Sequence, residues 1–142
     1  MTPLDLTKEP PRSPREELGG LCMLPRMIDV ARARLPGGDI GEYQIGRGMS
    51  GLVLRHLGME VGEFVELVRN AKDDEEVWAQ LGGLKTEKEN GMVSLRLRRV
   101  TVKDVPDDLR ESFVRFYGAD LSPEKRVMDV LEEDDARAFG PK

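Results

Sequence analysis

Cysteine and histidine are almost missing from this chain: Cys22 and His56 are the only examples in 142 residues. A single thiol excludes an internal disulfide and a thiolate cluster for zinc or iron–sulfur chemistry, and it fits a reducing cytoplasm. A single imidazole leaves one side chain whose ordinary pKa suits proton transfer near neutrality. Aromatic residues are scarce at 5%, too few to interleave a basic patch with stacking platforms for bases. Positive charge is not in excess either. The formal net charge of −5 argues against a general polyanion binder, so nucleic acid is not an expected partner. No apolar run approaches the roughly 18 residues of a membrane span. The stretch MTPLDLTKEPPR puts acids and prolines where a signal peptide needs an apolar core. A cytoplasmic protein with no membrane attachment and no cofactor is expected.

What is present is helix grammar. Hydrophobic residues make up 39% and charged residues 35%, a polar but foldable balance. A chain of this length is the usual size of one domain and should bury roughly 68 to 70% of its unfolded surface. Residues 1–12, held extended by Pro3, Pro10 and Pro11, read as an arm, and residues 13–142 as a helical domain. Ser13, Pro14 and Glu16 match a capping box with proline at the first helical position, predicting a short helical turn stopped by Gly19 and Gly20. Pro25 opens a stripe of Leu24, Met27, Ile28, Ala31 and Leu35, closed by Pro36, Gly37 and Gly38. Met49, Leu52, Val53 and Leu57 form a second stripe ended by Gly58; Val61, Phe64, Val65 and Val68 form a third. Asp73 with Glu76 caps a helix bearing Val77, Trp78 and Leu81.

Residues 86–103 are ambiguous. MVSLRLRRVTV alternates like a strand, and Asn90–Gly91 suits a hairpin turn. Thr86 with Glu89 is a capping box, and Val93, Leu97 and Val100 share a helical face. Periodicity favours a short strand or hairpin here. Leu109, Phe113, Phe116 and Tyr117 then make a helical stripe ended by Gly118, with Glu111 and Arg115 able to pair at i, i+4. Ser122–Pro123 signals a last helix carrying Val127, Met128 and Leu131. The fold class expected is mainly α.

The stretches PRSPREELGG, LPRMIDVARARL and GEYQIG, with VMDVLEEDDARAFGPK at the other end, resemble a bacterial family catalogued as domain of unknown function 5069. The resemblance covers nearly the whole chain. It implies a small, largely helical protein, which tips residues 86–99 toward helix, and it supplies no reaction. Val30 stands where relatives often carry lysine, and GRGMSG where they commonly have a leucine–aspartate–glutamine type sequence, so a shared site using either position would be altered here.

Several motifs fail on chemistry. Gly46, Gly48 and Gly51 spell G-x-G-x-x-G after a short strand-like EYQI, but that segment lacks a buried apolar run and no second strand ending in an acid follows. A glycine-rich turn with Arg47, leading into a helix N-terminus, is what remains. Ser50 lacks the second glycine of a nucleophile elbow. His56, four after Leu52 and three after Val53, reads as a partly buried core histidine, and Cys22 among Leu21, Met23 and Leu24 as an inert packing thiol. LRLRR with Lys103 reads as ordinary helix surface. Glu132–Asp135 lacks the glycine turn and ligand spacing of a calcium loop.

The remaining constellation is Arg12, Arg15, Arg26, Asp29, Arg32, Glu42 and Tyr43. Arg26, Asp29 and Arg32 recur at i, i+3 opposite the apolar stripe, which predicts a solvated face with weak ion pairs worth about 0.2 to 0.5 kcal/mol each. The sharper expectation is that Arg12, Arg15 and Arg26 converge on a phosphate or carboxylate through their guanidinium forks. The leading reading is therefore a helical binding protein for an anionic small molecule. The alternative is a self-associating module, a homodimer packed through the arm and Phe139. A small acid/base enzyme using Asp29 and Glu42 comes third, with no catalytic motif in its favour.

Overall fold

The computed structural model describes residues 1–140; the last two residues of the ARAFGPK tail lie outside them. Among the described residues the chain forms seven α-helices and one two-stranded hairpin. Strands β1 (Glu17–Leu18) and β2 (Leu21–Cys22) pair antiparallel. The helices are α1 (Leu24–Ala33), α2 (Gly48–Leu57), α3 (Val61–Asn70), α4 (Asp74–Leu81), α5 (Glu87–Arg99), α6 (Asp107–Tyr117) and α7 (Val127–Phe139). The fold is mainly α, as the sequence implies, and no described helix is long and apolar enough to cross a membrane.

The hairpin replaces the helical turn expected at Ser13–Glu16. Ser13 and Pro14 make a tight turn instead: the Glu16 amide donates to the Ser13 carbonyl at 3.1 Å and the Arg15 amide to Ser13 Oγ at 3.1 Å. Proline at the second position of a turn presets its φ as readily as it would a helix. Gly19 and Gly20 then both adopt positive φ, 61° and 82°, which is the two-residue hairpin loop whose twist matches that of its strands.

The stripes read from the sequence bury in whole or in part, except that on α6 no residue is fully buried and Phe116 is half exposed. Phe64, Val68, Val53, Met27, Ile28, Val77 and Leu97 are essentially inaccessible, each contributing roughly 1.5 to 3 kcal/mol by leaving water. Caps set the boundaries: Asp73 accepts from the Glu76 amide at 2.9 Å, and Thr86 and Glu89 bond reciprocally at 2.9 and 3.1 Å. That capping box decides residues 86–99 for helix, so the strand suggested by alternation is overturned. Asn90 fits inside the helix because its side chain is buried and meets His56 Nε2 at 2.8 Å. Ser94 locks α5 to the hairpin, accepting from the Cys22 amide at 2.9 Å and donating to the Gly20 carbonyl at 2.6 Å.

Two further expectations change. EYQI is loop, not strand. The last helix begins at Val127 rather than at Ser122, because residues 122–126 turn and then bridge back to the end of α5: the Val127 amide donates to the Val100 carbonyl at 3.0 Å, and Arg126 pairs with Thr101. Helix α1 lies at the centre, packed on α2, α3 and the hairpin, while α5 packs on α2, α7 and β2. Residues 1–12 lie against this body. The Leu4 amide donates to Arg32 and the Leu6 amide to Asp39, and Leu6 is buried.

Candidate functional site

The face of α1 opposite its apolar stripe is not solvated. Arg26 and Asp29 retain 6% and 5% of their surface, because the arm and α7 close over them. Asp29 receives the Arg12 amide at 2.8 Å and the Arg12 guanidinium at 3.0 Å. Arg12 also reaches Asp74 at 2.6 Å, and these two carboxylates favour its charged form. Arg15 pairs with Asp129 at 2.5 Å and with Glu132. Arg26 pairs with Asp135 at 2.8 Å and donates to the Arg12 carbonyl at 3.2 Å. The Tyr43 hydroxyl donates to the same Asp135 at 2.7 Å, and the Arg26 guanidinium lies 5.5 Å from the Tyr43 ring centroid, within cation–π range. Burial, reinforced by the hydrogen bond to Asp135, pushes the Tyr43 phenol well above its usual pKa. Arg32 donates to Thr2 at 2.8 Å.

Of the residues singled out in the sequence, Arg12, Arg15 and Arg26 thus lie side by side, each already held by a carboxylate. The acidic run is spent the same way: Glu132 on Arg15, Glu133 on Lys125, Asp134 on Arg137 and Asp135 on Arg26. Asp29 and Glu42 do not share a depression. Asp29, Arg12 and Arg32 line a shallow hollow beside the arm, whereas Glu42, Tyr43 and Arg26 line a separate, deeper cleft. His56 lines neither. Cys22 is fully buried, and that burial raises its thiol pKa.

The deeper cleft encloses about 1310 Å³. Its walls come from the loop at residues 41–47, the outer faces of α2 and α5, the apolar side of α6, and α7. Helices α2 and α5 pack together and contribute four arginines to its lining: Arg47 and Arg55 from α2 and its cap, Arg96 and Arg99 from α5. Among the described residues none of the four has a carboxylate within 4.0 Å; the recorded ion pairs belong to other cations. The cleft's carboxylates sit on the other elements. Asp104 is held by Thr101 and Asp134 by Arg137, while Glu42 and Asp108 are exposed.

Sequence reasoning assigned LRLRR to ordinary helix surface and left Arg47 in a glycine-rich turn before a helix N-terminus. The signal available was Met92, Leu95, Arg96 and Arg99 at i, i+3, i+4, i+7, one continuous face. It is the face left over when Val93, Leu97 and Val100 turn inward.

The chain belongs to the family described as Domain of unknown function (DUF5069), whose model matches residues 8–137. That span includes the arginine-rich turn, α1, all four unpaired cleft arginines and most of α7. No curated protein shows a significant match to the chain.

Proposed function

We propose that this protein is a cytoplasmic binding protein for an anionic ligand, taken in the cleft between α2, α5 and α6. The observation that carries the reading is the contrast between two sets of arginines. Arg12, Arg15 and Arg26 are neutralised within the molecule, whereas Arg47, Arg55, Arg96 and Arg99 line the deeper cleft with no carboxylate within 4.0 Å among the described residues. Unpaired guanidinium groups lining one cleft are free to bind phosphate or carboxylate oxygens in bidentate fashion. Arg26 and Tyr43, from the set singled out in the sequence, line the same cleft and keep its shape through Asp135. Arg12 and Arg15 anchor the arm and α7 behind it.

The test is thermal denaturation with inorganic phosphate, pyrophosphate or citrate. A ligand at about 100 times its Kd adds roughly 2.7 kcal/mol of stability. That increment should vanish in Arg55→Ala/Arg96→Ala and persist in Arg15→Ala. Equal stabilisation of all three proteins, or of none, removes the reading.

Self-association is the second reading, favoured by Met92, Leu95, Val114 and Phe116, large apolar side chains that stay 40% to 64% exposed. A concentration-independent monomer in light scattering excludes it.

A further inference from the structure

Helix α6 carries a complete apolar stripe of which no residue is fully buried: Leu109, Phe113 and Tyr117 are half-buried, Phe113 against the core, and Phe116 is exposed. Amphipathic helices of folded domains ordinarily hide such a stripe. Here Leu109, Phe113, Phe116 and Tyr117 face the cleft, with the Phe113 and Tyr117 rings 4.8 Å apart and Phe116 beside them at 6.4 Å from Tyr117. Phe116 remains 50% exposed. Across the cleft, α5 offers Met92 and Leu95, 64% and 46% exposed, on the same helical face as Arg96 and Arg99. Uncovered apolar surface and unpaired guanidinium groups therefore follow one another along one face of one helix, Met92 and Leu95 first and Arg96 and Arg99 after them.

We infer that the occupant of this cleft is an amphipathic anion, a phosphate- or carboxylate-headed molecule whose apolar body lies between α5 and α6. The inference rests on the anion-binding reading above and extends it. A wholly polar anion leaves Met92, Leu95 and Phe116 in water. A wholly apolar one strips water from arginines and gives them no partner. A head on the α2–α5 wall with a tail under α6 satisfies both surfaces. Asp108 and Glu42, on the α6 and loop sides, repel a negative head and so direct it to the arginines. The volume of about 1310 Å³ exceeds the roughly 300 to 1,000 Å³ of ordinary small-molecule pockets, leaving room for a chain as well as a head.

Calorimetric titration of the intact protein with inorganic phosphate, butyl phosphate, octyl phosphate and octyltrimethylammonium tests this. A fully buried methylene strengthens binding about three- to fourfold, so partial cover should still make octyl phosphate bind at least roughly tenfold tighter than butyl phosphate. Octyltrimethylammonium should bind at least about tenfold more weakly than octyl phosphate, the arginines opposing it. Met92→Ser and Phe116→Ser, both at exposed positions, should weaken octyl phosphate roughly fivefold and leave inorganic phosphate unchanged. If octyl phosphate binds no better than inorganic phosphate, the apolar occupant is wrong while anion binding stands. If octyltrimethylammonium matches octyl phosphate, the anion-binding reading falls and takes the inference with it. Should the protein be a dimer that either serine variant converts to monomer with octyl phosphate affinity unchanged, a second copy covers these faces and the proposal is overturned.

Discussion

Arg26 and Asp135 form an ion pair of 2.8 Å whose side chains keep only 7% and 9% of their accessible surface. They stand 109 positions apart and tie α7 to α1, with the Tyr43 hydroxyl as third member at 2.7 Å. Removing one member of such a pair strands a charge in a dry site, which costs about 3 to 5 kcal/mol, whereas replacing both by apolar residues of similar volume is often neutral. Asp135→Ala should therefore lower the urea midpoint sharply, and Arg26→Met/Asp135→Leu should recover most of the loss. A loss below about 1 kcal/mol in the single variant would mean that α7 is secured by its apolar face alone.

Arg15 offers the contrast. It pairs with Asp129 and Glu132 on the same helix, but these side chains are 38% to 45% exposed. Water and salt screen such pairs, and they contribute up to about 1 kcal/mol. Arg15→Ala should cost less than that, and the cost should shrink further at 1 M salt, where the screening length falls to about 3 Å. Denaturation curves at low and high ionic strength check both statements; an effect as large as that of Arg26→Ala would contradict the dependence on exposure.

Alkaline titration tests the tyrosines. Burial raises both phenols, with Asp135 adding to the shift of Tyr43 and Asp134 to that of Tyr117. Unfolded phenols lose their protons near about pH 10, while the folded ones hold theirs to higher pH. Above about pH 10 the folded state thus binds more protons than the unfolded state, and stability falls as pH rises. Below that pH both states are protonated and the tyrosines add no slope. The buried Cys22 thiol acts in the same direction from about pH 8.5, the usual thiol value. In Cys22→Ala, tyrosinate absorbance should appear together with loss of helical circular dichroism. Reversible ionisation of both phenols near pH 10 in the folded protein would contradict this.

The helices were legible where the stripe was regular, with a cap as at Asp73–Leu81 or by the stripe alone as at Val61–Val68, because these signals are local and act over three or four residues. Asn90–Gly91 misled because the same dipeptide that suits a hairpin turn is tolerated in a helix once the buried asparagine side chain finds a partner, the half-buried His56, 34 positions away. Ser13–Pro14 misled because a serine oxygen caps a turn as well as a helix. The arginine cluster was visible as composition but not as pairing. The carboxylates that hold Arg12, Arg15 and Arg26 lie 62, 114 and 109 positions away in Asp74, Asp129 and Asp135, beyond any helical spacing. Arginines such as Arg96, left unpaired on the cleft wall, could be told from the others only once those partners were in place.

The hairpin loop supplies a last, sharper prediction. Gly19 and Gly20 share positive φ, so alanine at either position meets a backbone strain of about 1 to 2 kcal/mol. Their surroundings differ. A Cβ on Gly19 would overlap the Trp78 ring, which lies against the hairpin from α4, while a Cβ on Gly20 meets nothing within 4 Å. The Trp78 ring lies between this loop and Gly82 at the end of its own helix. Gly20→Ala should cost only the strain and leave the tryptophan emission unchanged. Gly19→Ala should cost at least about 1 to 3 kcal/mol more, the usual penalty for overpacking, and should shift the emission of Trp78, the sole tryptophan. Equal stability of the two variants, with no spectral shift, would show that the hairpin and α4 are not in contact through this ring.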